Sequence, residues 1–209
     1  MLEYRKMSEN EMNECVQLVS EAFYNYEYFS AYVREKKRRE RFVNALMRCE
    51  FKVNMGDPAV KFITARQDGR IVAVAELWKP GFKRPSDVHY CMSGYLRALF
   101  FGGIRDVTAW LETDRKASAP CHELPGRNWY LNVLAVARSD EGKGIGSRFL
   151  KEYLIPYVKA ADGDCLSLLT NSEINCRFYE KNGFSLFDRK TFEYREKKVG
   201  SWSYQIKLS

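Results

Sequence analysis

Residues 128–147 read NWYLNVLAVARSDEGKGIGS, and this stretch decides the fold. Trp129–Val136 is a run of aromatic, β-branched and aliphatic residues, the composition of a buried strand. Gly142, Gly144 and Gly146 follow, and the pattern beyond them predicts a helix over about 144–160. Glycines allow turns closed to other residues and let the main chain approach a ligand. The first N–H groups of a helix lack internal partners and carry the positive end of its dipole. A strand that enters such a loop and leaves as a helix suits a pyrophosphate, with no metal required. Lys143 and Arg148 add positive charge nearby. Two other phosphate loops fail on the letters themselves. No GxxxxGK[ST] string is present, and a GxGxxG fingerprint needs a glycine where Phe149 stands. Only 63 residues follow Gly146, too few for a long βαβ series.

Working outward, residues 2–6 read as a short strand, and Ser8 with Glu11 forms an S-x-x-E capping box. Met12, Cys15, Val16, Val19, Ala22 and Phe23 then recur at helical spacing. A second helix is predicted over about 31–50. It contains REKKRRER at 34–41, with six basic and two acidic residues, read as a solvated face or a docking surface for an anion. Val60–Arg66 and Ile71–Trp78 flank an Asp68-Gly69 turn and read as a hairpin. Residues 88–118 look helical with a break at Gly102-Gly103, closed by Ala119-Pro120 and Leu124-Pro125-Gly126; the segment 79–127 reads as a helical insertion. Downstream, Cys165–Thr170 is a strand and 173–182 a short helix stopped by Asn182-Gly183. Phe184–Tyr194 and Trp202–Leu208 are strands around a turn at Lys197, Lys198 and Gly200. The sum is one domain over 1–209. Its class is α+β in α/β/α layers, a mixed, mostly antiparallel sheet of about six to seven strands flanked by helices.

Composition sets outer bounds. The 209 residues include 34 Lys plus Arg and 27 Asp plus Glu, a net charge of +7. A basic chain suits nucleic acid, an anionic membrane surface or a phosphorylated small molecule, and the balance alone does not choose. The N-terminus lacks an apolar core with a cleavage site, and no apolar run reaches about 18 residues. A soluble, cytoplasmic protein is expected. The six cysteines form no CxxC pair, and His89 and His122 lie in no HExxH motif, so no metal site is expected.

The glycine segment resembles the GCN5-related N-acetyltransferase superfamily. Its signature, R/Q-x-x-G-x-G/A, falls on Glu141-x-x-Gly144-x-Gly146, and NWYLNVLAV is similar to the family's central strand. Residues 171–184, NSEINCRFYEKNGF, resemble the family's downstream motif, with Asn175, Phe178, Tyr179, Gly183 and Phe184 in comparable places. The resemblance implies acetyl-CoA as co-substrate. Backbone groups of Leu134, Ala135 and Val136 would hold the pantetheine arm and polarise the thioester. Amides from Gly142, Lys143, Gly144, Ile145, Gly146 and Ser147 would take the pyrophosphate, and Asn175 the cofactor arm. Tyr179 would protonate the departing thiolate. The acceptor would be a primary amine, of a small molecule.

The sequence departs from the pattern at Glu141, where the family has Arg or Gln. A carboxylate there is unfavourable beside a pyrophosphate unless it turns outward or pairs with Arg138 or Lys143. Where some members carry histidines on the central strand, this chain has Tyr130 and Asn132, neither of them a base. Glu76 and Glu112 are the candidate bases. Phe23, Tyr24, Tyr26, Tyr28, Phe29 and Tyr32 read as a core cluster or as an aromatic wall of the acceptor pocket. Two other readings stay open: a CoA-binding sensor of the same fold, and a basic nucleic-acid-binding protein. An exposed edge strand near the C-terminus suits a homodimer.

Overall fold

The computed structural model describes residues 1–208. In chain order the elements are β1 (Glu3–Lys6), α1 (Met12–Phe23), α2 (Glu27–Ser30), α3 (Lys36–Asn54), β2 (Val60–Gln67) and β3 (Arg70–Trp78). The insertion follows as α4 (Asp87–Met92), α5 (Tyr95–Gly102) and α6 (Ile104–His122). The remainder is β4 (Asn128–Val136), α7 (Ile145–Arg148), α8 (Ile155–Ala160), β5 (Cys165–Thr170), α9 (Glu173–Lys181), β6 (Ser185–Tyr194) and β7 (Lys197–Lys207). A π turn over Phe149–Leu154 joins α7 to α8, just before Pro156, whose missing N–H interrupts the regular ladder.

The seven strands form one sheet in the order β1-β2-β3-β4-β5-β7-β6. Every pairing is antiparallel except β4 with β5. The sheet carries an apolar core on each face. On one, Val16, Phe42, Phe51, Val74, Trp110 and Tyr130 join α1, α3 and the insertion to the strands. On the other, Ala73, Leu77, Leu131, Phe149, Leu154 and Tyr204 join the helical stretch 145–160 to them. The insertion buries Ala98, Val107 and Trp110 and leaves Val88, Met92, Leu96, Phe100 and Ile104 exposed.

Three boundaries differ from the sequence reading. The second helix starts at Lys36, where the Glu35 side chain accepts hydrogen bonds from the N–H groups of Lys37 and Arg38. This cap outweighs the apolar residues before it, and α2 stands apart. Helix α6 runs through Pro120 to His122. Proline cannot bond the carbonyl four residues back, but Lys190 Nζ donates to the Lys116 carbonyl at 3.1 Å and satisfies it from another strand. The last hairpin turns at Arg195-Glu196, with φ of 45° and 67°, not at Lys197–Gly200. Gly200 is inside β7 because Trp202 lies over it. A Cβ there would stand 2.1 Å from the indole.

Candidate active site

The sheet forks at its one parallel pair. Strand β4 pairs with β5 only over Asn128–Leu131 against Cys165–Leu168. Beyond Leu131 the strands part, while β5 keeps its register with β7 out to Thr170 and Trp202. On its other side β4 stays paired to β3 through Ala73 and Val136. Alternate main-chain groups of Asn132–Val136 therefore face an open slot, which contains the predicted Leu134, Ala135 and Val136. Unpaired strand edges are strong hydrogen-bonding templates.

The glycine loop closes one end of the slot. Gly142 and Gly144 both have φ of 76°, and Gly144 caps α7 in a left-handed conformation. Only glycine takes this geometry without cost. No heavy atom lies within 4 Å of a Cβ placed on either, so the loop backbone is open to a ligand. Gly146 is the opposite case: a Cβ there would meet the Phe178 ring at 3.2 Å. It lets α7 pack against α9. Ile145 is buried, and the Ser147 hydroxyl accepts from Asn182 Nδ2 at 3.1 Å.

The cationic side chains of the loop are spent within the chain. Buried Asp140 pairs with Lys143 at 3.0 Å and with Arg70 at 2.8 Å. Hydrogen bonds from Arg70 and Lys143 hold the Asp140 carboxyl below the usual range. Arg148 is paired to Glu152 at 2.8 Å. Arg138 stacks over the Tyr24 ring at 4.3 Å and donates to its hydroxyl at 2.8 Å. Glu141 is exposed and pairs with neither Arg138 nor Lys143, the outward alternative of the sequence reading. Any anion at this loop meets main-chain N–H groups first.

Helix α9 and the α1–α2 connector meet at the end of β5. The Tyr26 hydroxyl lies 2.8 Å from Thr170 Oγ1 and accepts from the Asn171 N–H at 2.7 Å and Asn175 Nδ2 at 3.4 Å. Burial pushes its pKa up, against the pull of those three bonds. Tyr179 is 7% exposed, its ring set among Phe178, Phe184 and Tyr204. Among the described residues its hydroxyl has no hydrogen-bond partner. Burial, reinforced by the nearby Tyr26, raises its pKa far above the phenol range, so the proton stays on the oxygen. The aromatic cluster thus divides. Tyr28, Phe29 and Tyr32 are core, around Trp110 and Tyr194, whereas Tyr24 and Tyr26 border the slot.

The two candidate bases separate as clearly. Glu112 lies on the outside of α6, paired to Lys116 at 2.6 Å, and takes no part in the site. Glu76 is fully buried on β3 beside the fork. A bulge in β4 makes this possible: Glu76 pairs with Val133 and Leu77 with Leu131, leaving Asn132 as the extra residue. Asn132 Nδ2 donates to Glu76 Oε2 at 2.7 Å, while Asn54 Nδ2 and Trp78 Nε1 donate to Oε1, both at 2.8 Å. Asn54 also donates to Glu50 at 3.1 Å, which couples two carboxylates. Burial first and the Glu50 charge second push Glu76 up to about 8, against its three donors. Glu50 is raised as well, chiefly by burial. Neither Glu50 nor Asn54 carries a sequence signal for this pairing. A cavity of about 310 Å³, bordered by Trp78, Phe82, Arg84, His122 and Tyr130, opens on the far end of β3.

A mixed sheet forked at a parallel pair, with an open strand edge and a glycine loop at the fork, defines an acyltransferase class of fold. The chain belongs to the acetyltransferase (GNAT) family, whose model matches residues 14–184. No curated protein matches the sequence. Solved structures share the fold at low identity. A histone acetyltransferase or related acetyltransferase from Corynebacterium glutamicum is 20% identical, with a TM-score of 0.62 over 97% of this chain and 94% of that one. A Drosophila melanogaster polyamine N-acetyltransferase, which forms N-acetylagmatine, is 14% identical, with a TM-score of 0.62 over the whole of both chains (100% each). The ribosomal-protein-S18-alanine N-acetyltransferase from Escherichia coli is 13% identical, with a TM-score of 0.59 over 100% and 95%. Among the described residues no helix is long and apolar enough to cross a membrane, and no cluster of three potential metal ligands occurs.

Proposed function

We propose that this acetyltransferase uses acetyl-CoA to acetylate the primary amine of a small molecule, by direct attack within a ternary complex. The observation that carries the reading is the fork: an unpaired β4 edge over Asn132–Val136 running into the open glycine loop. The residues present fit CoA. The strand edge of Leu134, Ala135 and Val136 offers alternating donors and acceptors to an amide-bearing arm. The Gly142–Ser147 amides offer dipoles to a pyrophosphate. Asn175, beside Tyr26, is the side-chain contact for the arm. Bound there, acetyl-CoA would supply an activated acetyl thioester.

The chain's own groups then divide the work. Main-chain N–H groups of the open edge are fixed dipoles suited to a developing oxyanion. Tyr179 holds its proton on a hydroxyl with no internal acceptor and is the proposed acid. Glu76 is the proposed base: its raised pKa lies near working pH, where a proton acceptor is most effective. Holding the amine in the fork supplies the entropic part of the advantage.

The test is thiol release from acetyl-CoA across a panel of amines, with CoA binding measured separately by calorimetry. Turnover with at least one amine is expected, without acetylated enzyme. Tight CoA binding with no turnover on any amine would identify a CoA sensor and refute the proposal.

A further inference from the structure

A second cavity, of about 580 Å³, lies where the α2–α3 connector meets the β6–β7 turn. Ser30, Arg34, Arg39, Arg195, Glu196 and Lys197 border it. Arg39 is only 8% exposed. Its Nε donates to the Tyr24 carbonyl at 2.5 Å, and its Nη1 to the carbonyls of Val33 and Arg34 at 3.0 and 2.9 Å. Those acceptors are neutral, and Nη2 is left over. Among the described residues no carboxylate stands within ion-pair distance of Arg39, Arg34 or Lys197. Arg195 differs, being neutralised by Asp106 at 2.7 Å. Arg34 Nη2 donates to the Arg195 carbonyl at 2.9 Å, tying the two walls together. The cavity thus holds three uncompensated cations against the single carboxylate of Glu196. A buried guanidinium with no counter-charge is costly unless an anion joins it.

The cavity also has a definite relation to the fork. The α1–α2 connector, which gives Arg39 the Tyr24 carbonyl, places Tyr26 at the end of β5 and Tyr24 against Arg138. Further along the strand that begins with Lys197, the Gly200 carbonyl accepts from Asn171 Nδ2 at 2.8 Å, beside the end of β5. The N-terminus of α3 is not the attraction, because Glu35 already caps it.

We infer that this cavity binds the carboxylate or phosphate of an acceptor molecule whose amine reaches the fork, so that the enzyme selects amines bearing an anionic group. The inference rests on the proposed acetyl transfer for the amine end only. Arg39 supplies the buried charge, and Arg34 and Lys197 close on the anion from the two walls. A charge-assisted pair held this way discriminates by about tenfold to a hundredfold against an uncharged analogue.

The test has two arms. In the first, melting temperature is followed against inorganic phosphate at constant ionic strength, with saturating CoA present to fill the glycine loop. Phosphate is expected to stabilise the protein, and Arg34→Gln and Lys197→Glu to remove the effect; Arg39 is left intact because it also holds the connector. In the second, kcat/KM is compared for an ω-amino acid long enough to span the roughly 10 Å of strand from Lys197 to Gly200 and for its decarboxylated amine. A preference of about tenfold or more for the acid is expected, lost in both variants while CoA affinity is unchanged. A phosphate effect abolished by CoA, or one insensitive to both substitutions, would overturn the inference. So would equal use of the two amines. Absence of turnover on any amine counts against acetyl transfer instead, and leaves the phosphate arm to decide the cavity.

Discussion

Replacing Tyr179 with phenylalanine separates the chemistry of this residue from its packing. The ring stands in a cage of Phe178, Phe184 and Tyr204, with centroids 5.1, 5.6 and 6.2 Å away, and phenylalanine fills the same space. The hydroxyl has no hydrogen-bond partner within the described chain, so its removal breaks nothing in the fold. Stability should change by less than about 1 kcal/mol, and the loss of a buried polar group can raise it. Turnover should behave quite differently. A positioned acid typically contributes about 10²–10⁴ in rate, or roughly 3–5 kcal/mol of barrier. Tyr179→Phe is therefore expected to lower kcat by that factor, with the melting temperature and the CoA dissociation constant close to those of the parent. The assay is initial-rate thiol release at saturating acetyl-CoA, beside calorimetric CoA binding and a denaturant titration. Turnover retained within about threefold would refute the role of the hydroxyl. A matching loss of stability would show that packing had been disturbed, contrary to the cage described.

Three further outcomes follow from the site. Glu76 has a folded-state pKa above its unfolded value, so the folded chain binds the extra proton between about pH 4.5 and 8, and stability falls as pH rises through that window. Glu76→Gln should flatten this decline in melting temperature between pH 5 and 9, and should remove the rise of kcat/KM toward pH 8; a variant with the parental profile in both would exclude Glu76. Glu141→Gln should alter CoA affinity only modestly, about threefold or less, because the side chain points outward; loss of binding by calorimetry would contradict that placement. Gly146→Ala forces a methyl to 3.2 Å from the Phe178 ring and should cost roughly 1–3 kcal/mol in urea unfolding; an unchanged midpoint would mean that α9 yields freely.

The parts legible in sequence were those whose physics is local. The strand, glycine loop and helix of 128–160 lie together in the chain, and backbone geometry requires the glycines in two of the three cases. The Asp68-Gly69 turn announced its hairpin for the same reason. What escaped was set by contacts across the fold. The bulge at Asn132 is invisible in a run that is continuously apolar on either side of it. The carboxylate pair needs α3 to bring Glu50 and Asn54 over β3, and nothing near Glu76 in sequence signals them. Pro120 reads as a helix stop until Lys190 is seen to satisfy the Lys116 carbonyl. The Arg195-Glu196 turn lacks the Asn or Gly that normally marks a two-residue hairpin, so the nearby Gly200 attracted the turn instead.

The net charge of +7 takes a different meaning once these contacts are known. A phosphate-binding loop suggests that its own cations do the binding, yet Lys143 and Arg148 are held by Asp140 and Glu152 and Arg138 by Tyr24. The loop is thus close to neutral in its side chains and presents main-chain dipoles. Such a site loses little affinity as salt rises, since dipoles fixed at contact distance are screened far less than separated surface charges. Among the described residues, cations without a carboxylate partner stand elsewhere, including Arg34, Arg39 and Lys197 around the second cavity. There, charge attraction acts over a longer range and depends on ionic strength. On the proposed reading, anion recognition is divided between backbone at the fork and side chains of the second cavity. Part of the basic excess stands at the second of these, where Arg34, Arg39 and Lys197 face the single carboxylate of Glu196 and the acceptor is proposed to arrive.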